Sequence, residues 1–341
     1  MTKTSRTALL LAAAGPLSLV LACLPGPANI PVREVLSILA SALGLAPEPA
    51  DPAQATVVLG IRASRAVLAY GVGAALSLAG VAFQGILRNP LADPFTLGVS
   101  TGAAFGACLA LALGLSAPAF LPLADPLPLF GLLGAFLALL AVLGLARSGR
   151  ELKRETLVLA GVVTATFLSA CIALLKALDE STVSGLVFWI MGSFQGRGWG
   201  HVLVFLPYLI AGAVLVLAWA RELDILSMGS TQARLLGLHA DRARLVLLLA
   251  GSMLSGAAVA VSGVIGFVGL VVPHLVRRLQ GGEHRPLAVN AALLGGLLLL
   301  WSDVLARTLL PGGVELPVGV LTALLGGPFF CLLLKQRREA S

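Results

Sequence analysis

The feature that most restricts this sequence is a succession of apolar runs that continues along almost the whole chain. A helix that crosses the hydrocarbon core of a bilayer needs roughly 20 predominantly apolar residues, and most of these runs reach that length. Only 11% of the 341 residues are charged, whereas soluble domains carry roughly 25%. The sequence therefore predicts an integral membrane protein. No change in composition marks off a soluble part, so we predict a single transmembrane domain over 1–341.

The apolar runs are continuous and do not alternate with polar residues, which favours helices over the strands of a membrane barrel. We predict an all-α fold with about ten transmembrane helices. The predicted spans are 7–24, 57–86, 95–115, 127–146, 156–178, 201–220, 244–262, 264–279, 287–308 and 316–334. The span at 264–279 is short and follows its predecessor almost without a loop.

The positive charges favour one orientation of these helices. With both termini on the cytoplasmic side, most of the 23 Lys and Arg residues fall in cytoplasmic segments, as the positive-inside rule requires. The net charge of +7 is then explained by these loops, and no nucleic-acid partner is expected. The exceptions, at the outer ends of helices, are Arg33, Arg62, Arg65, Lys176, Arg197 and Arg307.

Several kinds of chemistry have no matching pattern in the chain. There is no GxxxxGK[ST] loop to cradle phosphates, so we do not expect the chain to hydrolyse ATP or to be an enzyme. The four histidines and four cysteines lack the spacing of metal ligands, so we expect no metal site and no cofactor. The predicted helices hold no run of Asp or Glu for a proton relay. A secondary transporter, which would need such groups, is kept as the alternative.

Three blocks of sequence closely resemble the FecCD/BtuC-like permeases. They read RASRAVLAYGVGAALSLAGVAFQGILRNPLADPFTLGVSTGAAFGA (62–107), GVIGFVGLVVPHLVRRL (263–279) and DVLARTLLPGGVELPVGVLTALLGGPFF (303–330). These permeases are the membrane subunits of type II ATP-binding-cassette (ABC) importers for iron-siderophores, haem and cobalamin. One departure is that the family commonly has R-L-P-R where this chain has Arg62-Ala63-Ser64-Arg65.

The resemblance implies an assembly and a location. The permease would form a homodimer in the lipid bilayer of a bacterial inner membrane, with two ATPase subunits that bind ATP and Mg²⁺, and a periplasmic substrate-binding protein. Iron-siderophore is the first choice of cargo by family frequency, followed by haem and cobalamin. The fifth and tenth predicted helices, with a short helix within 181–196, would line the path between two copies.

The resemblance also assigns roles to three outer arginines, Arg62, Arg65 and Arg307. In the family, arginines at these places dock acidic residues on the two lobes of the binding protein. Paired Arg–carboxylate bonds would give such docking its register. The alternative is that the three are interfacial anchors whose side chains reach for the headgroups. Arg197 is a less well matched candidate for docking.

The longest polar cytoplasmic stretch is 221–244, which the resemblance identifies as the coupling loop seated in a cleft of the ATPase subunit. Its small and apolar residues suit a short helix, a turn and a second short helix; they are Gly229, Ala233, Leu236 and Gly237. The alternative is a solvated connector that carries positive-inside charge.

Two further motifs are predicted to serve packing and turning rather than catalysis. Between the second and third helices, Pro90 and Pro94 are expected to end one helix and start the next, while Asn89 and Asp93 cap the freed backbone groups. In the second motif, Gly266 and Gly269 are expected to let helices approach closely, and Pro273 to break the helix near its inner end.

Overall fold

The computed structural model describes residues 3–47, 49, 51–115, 126–148, 151–152, 154–178, 187 and 189–339. Its helices in the first half are α1 (Lys3–Ala22), α2 (Val32–Ala42), α3 (Pro52–Ala55), α4 (Ser64–Leu87), α5 (Val99–Ala112), α6 (Pro126–Ala146) and α7 (Arg154–Leu178). A π-helical segment, Thr56–Ala63, joins α3 to α4. Two short strands, β1 (Arg147–Ser148) and β2 (Glu151–Leu152), pair antiparallel between α6 and α7.

In the second half, the described residues form four helices of 20 to 25 residues and several shorter ones. They are α8 (Trp199–Ala218), α9 (Ala220–Ser227), α10 (Ser230–Leu235), α11 (Ala240–Ser262), α12 (Val268–Gln280), α13 (His284–Thr308) and α14 (Val318–Glu339). A 3-10 turn, Pro311–Gly313, lies between α13 and α14. The predicted all-α class is confirmed, apart from the two-residue strands.

Helix α4 is the centre of the molecule, because every residue in it except Val67 and Tyr70 is buried. Small residues allow this. A Cβ at Gly73 would meet the backbone of Gly295 in α13, and one at Gly80 would meet the backbone of Gly269 in α12. Helices α11 and α8 pack on its other sides. The apolar core therefore surrounds α4, while α7 and α8 expose apolar side chains on the outside of the bundle.

The contacts of α4 define two ends of the bundle. At the first, which we call the cluster end, α4 begins and α1 and α13 end, so that Arg62 and Arg65 meet residues 22–28 and Asp303. The other end is named the connector end, after residues 88–98, which connect α4 to α5. There α4 ends beside the start of α13 and beside α9, as the contacts of Gly85 with His284 and Leu223 show.

Among the described residues, six helices are long and apolar enough to cross a membrane: Pro52–Leu87, Leu127–Ala146, Glu155–Leu178, Trp199–Ala218, Ala240–Ser262 and His284–Thr308. Three shorter apolar helices, Arg6–Ala22, Val99–Ala112 and Val318–Cys331, match further predicted spans. The predicted span at 264–279 becomes α12, which begins only at Val268 and has 13 residues. The multi-span fold is thus confirmed, and the count of ten stays a prediction.

Candidate functional sites

At the cluster end, Arg62 binds three backbone carbonyls of the loop that follows α1. Its Nη1 donates to the oxygens of Cys23 at 3.0 Å and Leu24 at 2.9 Å, and its Nη2 donates to that of Ala28 at 2.5 Å. Only 3% of Arg62 is exposed. The guanidinium therefore holds the loop against the start of α4.

Arg65 lies one helical turn further along and bridges two acidic residues from distant parts of the chain. Its Nε and Nη2 donate to Asp303 of α13 at 2.9–3.1 Å, and its Nη1 donates to Glu315 at 2.7 Å. Since Glu315 comes just before α14, this one side chain links α4, α13 and the approach to α14.

Arg307 completes the cluster from the last turn of α13. Its Nη1 donates to the carbonyl of Pro25 at 3.0 Å and its Nη2 donates to that of Ala22. Its Nε lies 3.7 Å from Asp303 Oδ2. The two side chains therefore form an ion pair, but this distance is too long for a hydrogen bond. We call Arg62, Arg65, Asp303, Arg307 and Glu315 the arginine cluster.

The three arginines were predicted to face a partner, and the structure places them inside the protein instead. Arg65 and Arg307 are 6% and 5% exposed, and their donors are directed to carboxylates and carbonyls of this chain. Docking of a partner through these side chains stays a prediction. Asp303 and Glu315, the partners of Arg65, were not predicted from the sequence. The sequence does contain one signal for such a partner, because Asp303 is an isolated carboxylate near the end of the predicted span 287–308.

In the connector between α4 and α5, Asn89 and Asp93 cap amides of the turns and not the ends of the two helices, because the C-cap of α4 is Arg88 and the N-cap of α5 is Gly98. Asn89 Oδ1 accepts a hydrogen bond from the amide of Leu91 at 3.0 Å, and Asp93 Oδ1 accepts one from that of Phe95 at 2.8 Å. Pro90 and Pro94 lie in the turns between the helices, and the prediction that Pro94 starts the next helix is wrong, because α5 begins only at Val99. Burial raises the pKa of Asp93 to about 6, against a smaller lowering by the Phe95 hydrogen bond.

Pro273 was predicted to break its helix, and this is wrong, because α12 continues through it from Val268 to Gln280. A proline has no amide hydrogen, so the carbonyl four residues earlier loses its usual partner. That carbonyl belongs to Gly269, and it accepts a hydrogen bond from Gln84 Nε2 of α4 at 3.2 Å. Gln84 Oε1 in turn accepts one from Arg277 at 3.0 Å.

Gly269 provides the predicted close approach and Gly266 does not. A Cβ on Gly269 would lie 2.8 Å from the carbonyl oxygen of Leu76 and 3.4 Å from Pro94. A Cβ on Gly266 would meet nothing within 4 Å, because this glycine faces a cavity. The cavity, of about 640 Å³, lies between the connector, the start of α12 and α14.

The segment 221–244 forms two short helices separated by a turn, as predicted. Gly229 and Gly237 end the turns after α9 and α10 with φ of 120° and 80°, values that favour glycine. Ala233 is buried in the core, whereas Leu236 is exposed, together with Leu235. The connector end therefore presents two neighbouring leucines to the outside.

Helix α9 is fastened to the start of α13 through Asp224. The backbone amide of His284 donates to Asp224 Oδ1 at 3.0 Å, and His284 Nδ1 lies 2.6 Å from the same oxygen. This link was not predicted. It ties the helices of 221–244 to the helix that carries Asp303 and Arg307 at its other end.

Comparison with known proteins identifies the family. The model of the FecCD transport family matches residues 11–336. The chain belongs to this family. It is 44% identical to the uncharacterized ABC transporter permease protein YvrB of Bacillus subtilis (strain 168), over 85% of this chain and 81% of that protein. It is 43% identical to the hemin transport system permease protein HmuU of Yersinia pestis, over 83% and 84% of the two chains.

A solved structure agrees with the fold over nearly the whole chain. It is described as an inward-facing conformation of a metal-chelate type ABC transporter, and it is 32% identical with a TM-score of 0.82. The match covers 97% of this FecCD chain and 99% of the other. The protein is therefore a membrane-spanning permease subunit of the ABC transporter class, in which ATP hydrolysis belongs to another subunit. Within 181–196, where a short helix was predicted, residues 181–186 and 188 lie outside the described residues.

Proposed function

We propose that this permease carries a metal chelate of the iron-siderophore, haem or cobalamin type into the cytoplasm, driven by ATP hydrolysis in a separate subunit. The observation that carries the proposal is the match of the whole fold to a metal-chelate transporter. The haem permease among the relatives supports the same class of cargo. Iron-siderophore is the first cargo to test.

The proposed assembly is a homodimer of permeases with two ATPase subunits and a periplasmic binding protein, in the inner membrane of a bacterium. In this arrangement the connector end faces the cytoplasm, as do both termini. Basic residues at this end, including Arg88 and Arg277, fit the positive-inside rule. The cluster end would then face the periplasm and receive the binding protein.

We propose that the ATPase contacts the permease through α9, α10 and the turns after them. The exposed Leu235 and Leu236 would enter a cleft of the ATPase, and Gly229 and Gly237 would keep the turns in the required shape. Movement of α9 would reach α13 through the bond between Asp224 and His284. The proposed docking of the binding protein would depend on the arginine cluster through the loop at 22–28, which the cluster holds.

The test is uptake of a radiolabelled iron-siderophore into proteoliposomes that contain the permease, its ATPase and the binding protein. We expect uptake to require ATP inside and to stop when the Walker A lysine of the ATPase is replaced. The same liposomes are also given haem or cobalamin, and the uptake of the three cargoes is compared. Uptake that needs no ATPase and follows an ion gradient would instead identify a secondary transporter.

A further inference from the structure

The residue that closes α4 is an arginine at a position where helices favour glycine. The amide of Arg88 donates to the carbonyl of Gly85 at 3.3 Å, and the amide of Asn89 donates to that of Gln84 at 3.2 Å. These two bonds form the Schellman motif of a helix end. The motif places Arg88 in the left-handed region, with φ of 49°, which glycine adopts at no steric cost and other residues do not.

Other Schellman ends among the described residues do carry glycine. Gly44, Gly114 and Gly237 follow α2, α5 and α10 with the same pair of bonds and with φ between 59° and 80°. The described non-glycine residues with positive φ are Arg88 and Phe267, and Phe267 precedes a helix. The positive-inside rule explains an arginine on the cytoplasmic side, but it does not explain an arginine at this strained position. Backbone strain of this kind points to a use for the side chain.

The Arg88 side chain is exposed and lies against the segment that we propose contacts the ATPase. Its Nη1 is 3.7 Å from the point where a Cβ of Gly229 would stand, in the turn between α9 and α10. Met228, just before that turn, is 58% exposed, and the exposed Leu235 and Leu236 follow it in the same segment. A positive charge therefore lies beside the turn from which this apolar surface extends.

The donors of this guanidinium are not used within the described part of the chain. Asp224 of α9 is bonded to His284, and Asp93 of the connector accepts a backbone amide. Glu222 lies in the first turn of α9, away from the turn into α10. Among the described residues, the Arg88 side chain has no hydrogen-bond or ion-pair partner. Its N–H groups are therefore available to a group outside this chain.

We propose that Arg88 binds a carboxylate of the ATPase subunit, beside the contact made by α9 and α10. The inference rests on the proposed function and adds a contact of defined chemistry to it. A guanidinium and a carboxylate form two parallel charge-assisted hydrogen bonds, which fix the register of a contact as well as its strength. Because Arg88 closes the central helix α4, the ATPase would hold that helix directly, in addition to reaching α13 through Asp224.

The experiment measures binding of the ATPase subunit to the full-length permease in nanodiscs of neutral lipid. Arg88→Gly is the decisive variant, because glycine suits the left-handed conformation and the variant should unfold at the same temperature as the natural protein or higher. We expect it to bind the ATPase about tenfold more weakly. Raising the salt from about 50 mM to about 500 mM should weaken the natural complex more than that of the variant.

Two further variants separate the local contact from general attraction. Arg88→Lys keeps the charge but loses the paired geometry, so its affinity should fall between those of the natural protein and Arg88→Gly. Arg285→Gln removes one charge from another exposed arginine at the connector end, and it should bind the ATPase as the natural protein does.

The proposal is overturned if Arg88→Gly binds the ATPase as tightly as the natural protein, or if Arg88→Lys is as weak as Arg88→Gly. It is also overturned if Arg285→Gln weakens binding equally, which would indicate that only the total charge matters. Leu235→Asp with Leu236→Asp distinguishes the two levels of the argument. If this double variant loses the ATPase while Arg88→Gly keeps it, the Arg88 contact is wrong and the proposed function stands. If neither loses it, the proposed contact through α10 is wrong as well.

Discussion

The bond between Arg65 and Asp303 gives the sharpest prediction at the scale of single residues. Asp303 is 1% exposed and accepts three hydrogen-bond contacts from Arg65. Removing one partner of a buried ion pair typically costs about 3–5 kcal/mol, because the other charge is left without compensation. We therefore expect Asp303→Asn to lower the unfolding temperature of the detergent-solubilised permease clearly, as measured by thermal denaturation.

Asp51→Asn is the control for that change. Asp51 is exposed and caps α3 by accepting from the amides of Ala53 and Gln54, and asparagine caps helices equally well. We expect this variant to stay within about 0.5 kcal/mol of the natural protein. Equal stabilities for the two variants would show that the buried cluster contributes nothing beyond an exposed cap.

Gln84 supports a second prediction at this scale. Gln84→Leu removes the donor to the Gly269 carbonyl and the acceptor for Arg277, and each unsatisfied buried group costs about 1–3 kcal/mol. We expect a lower unfolding temperature. Adding Pro273→Ala should restore part of it, because the new amide can reach the carbonyl of Gly269. No recovery in the double variant would show that this carbonyl does not limit stability.

These residues show where the sequence was informative. The turns around Asn89 and Asp93 were predictable because each cap bonds an amide two residues away. The partners of Arg65 lie 238 and 250 residues away in the chain, and no local pattern indicates such pairs. An arginine at a helix end was therefore predicted to be a surface group, although tertiary contacts bury it.

At the scale of elements, α10 and the turn after it carry a prediction about coupling. Leu235 and Leu236 are 82% and 62% exposed, so Leu235→Asp with Leu236→Asp should leave the fold intact. We expect the double variant to lose the ATPase during gel filtration and to lose ATP-dependent uptake, because two carboxylates would enter an apolar contact without partners.

The matched control lies at the other end of the bundle, where Leu43 and Leu45 are 75% and 78% exposed. Leu43→Asp with Leu45→Asp should keep the ATPase bound. If both double variants retain the ATPase, then α10 is not the contact.

Helices α4, α11 and α13 were predictable as elements because their apolar runs are long. Helix α12 was predicted less well. Pro273 indicates a break by its local chemistry, yet Gln84 of another helix satisfies the carbonyl that the proline leaves free. The shortness of α12 follows from residues 263–267, which the structure gives no helical conformation. Because residues 263–267 are as apolar as the helix that follows, hydropathy alone cannot show that they are not helical.

At the scale of the whole molecule, the remaining prediction concerns its orientation in the membrane. The proposed arrangement places Leu43 on the periplasmic side and Leu236 on the cytoplasmic side, and both side chains are exposed. The four natural cysteines are first replaced by alanine, and a single cysteine is then introduced at either position. In intact spheroplasts, a membrane-impermeant maleimide should label Leu43→Cys and leave Leu236→Cys unlabelled. After the membrane is permeabilised, both variants should react. The reverse labelling pattern would show that the protein has the opposite orientation. The arginine cluster would then face away from the binding protein and α10 away from the ATPase, so both proposed contacts would be wrong.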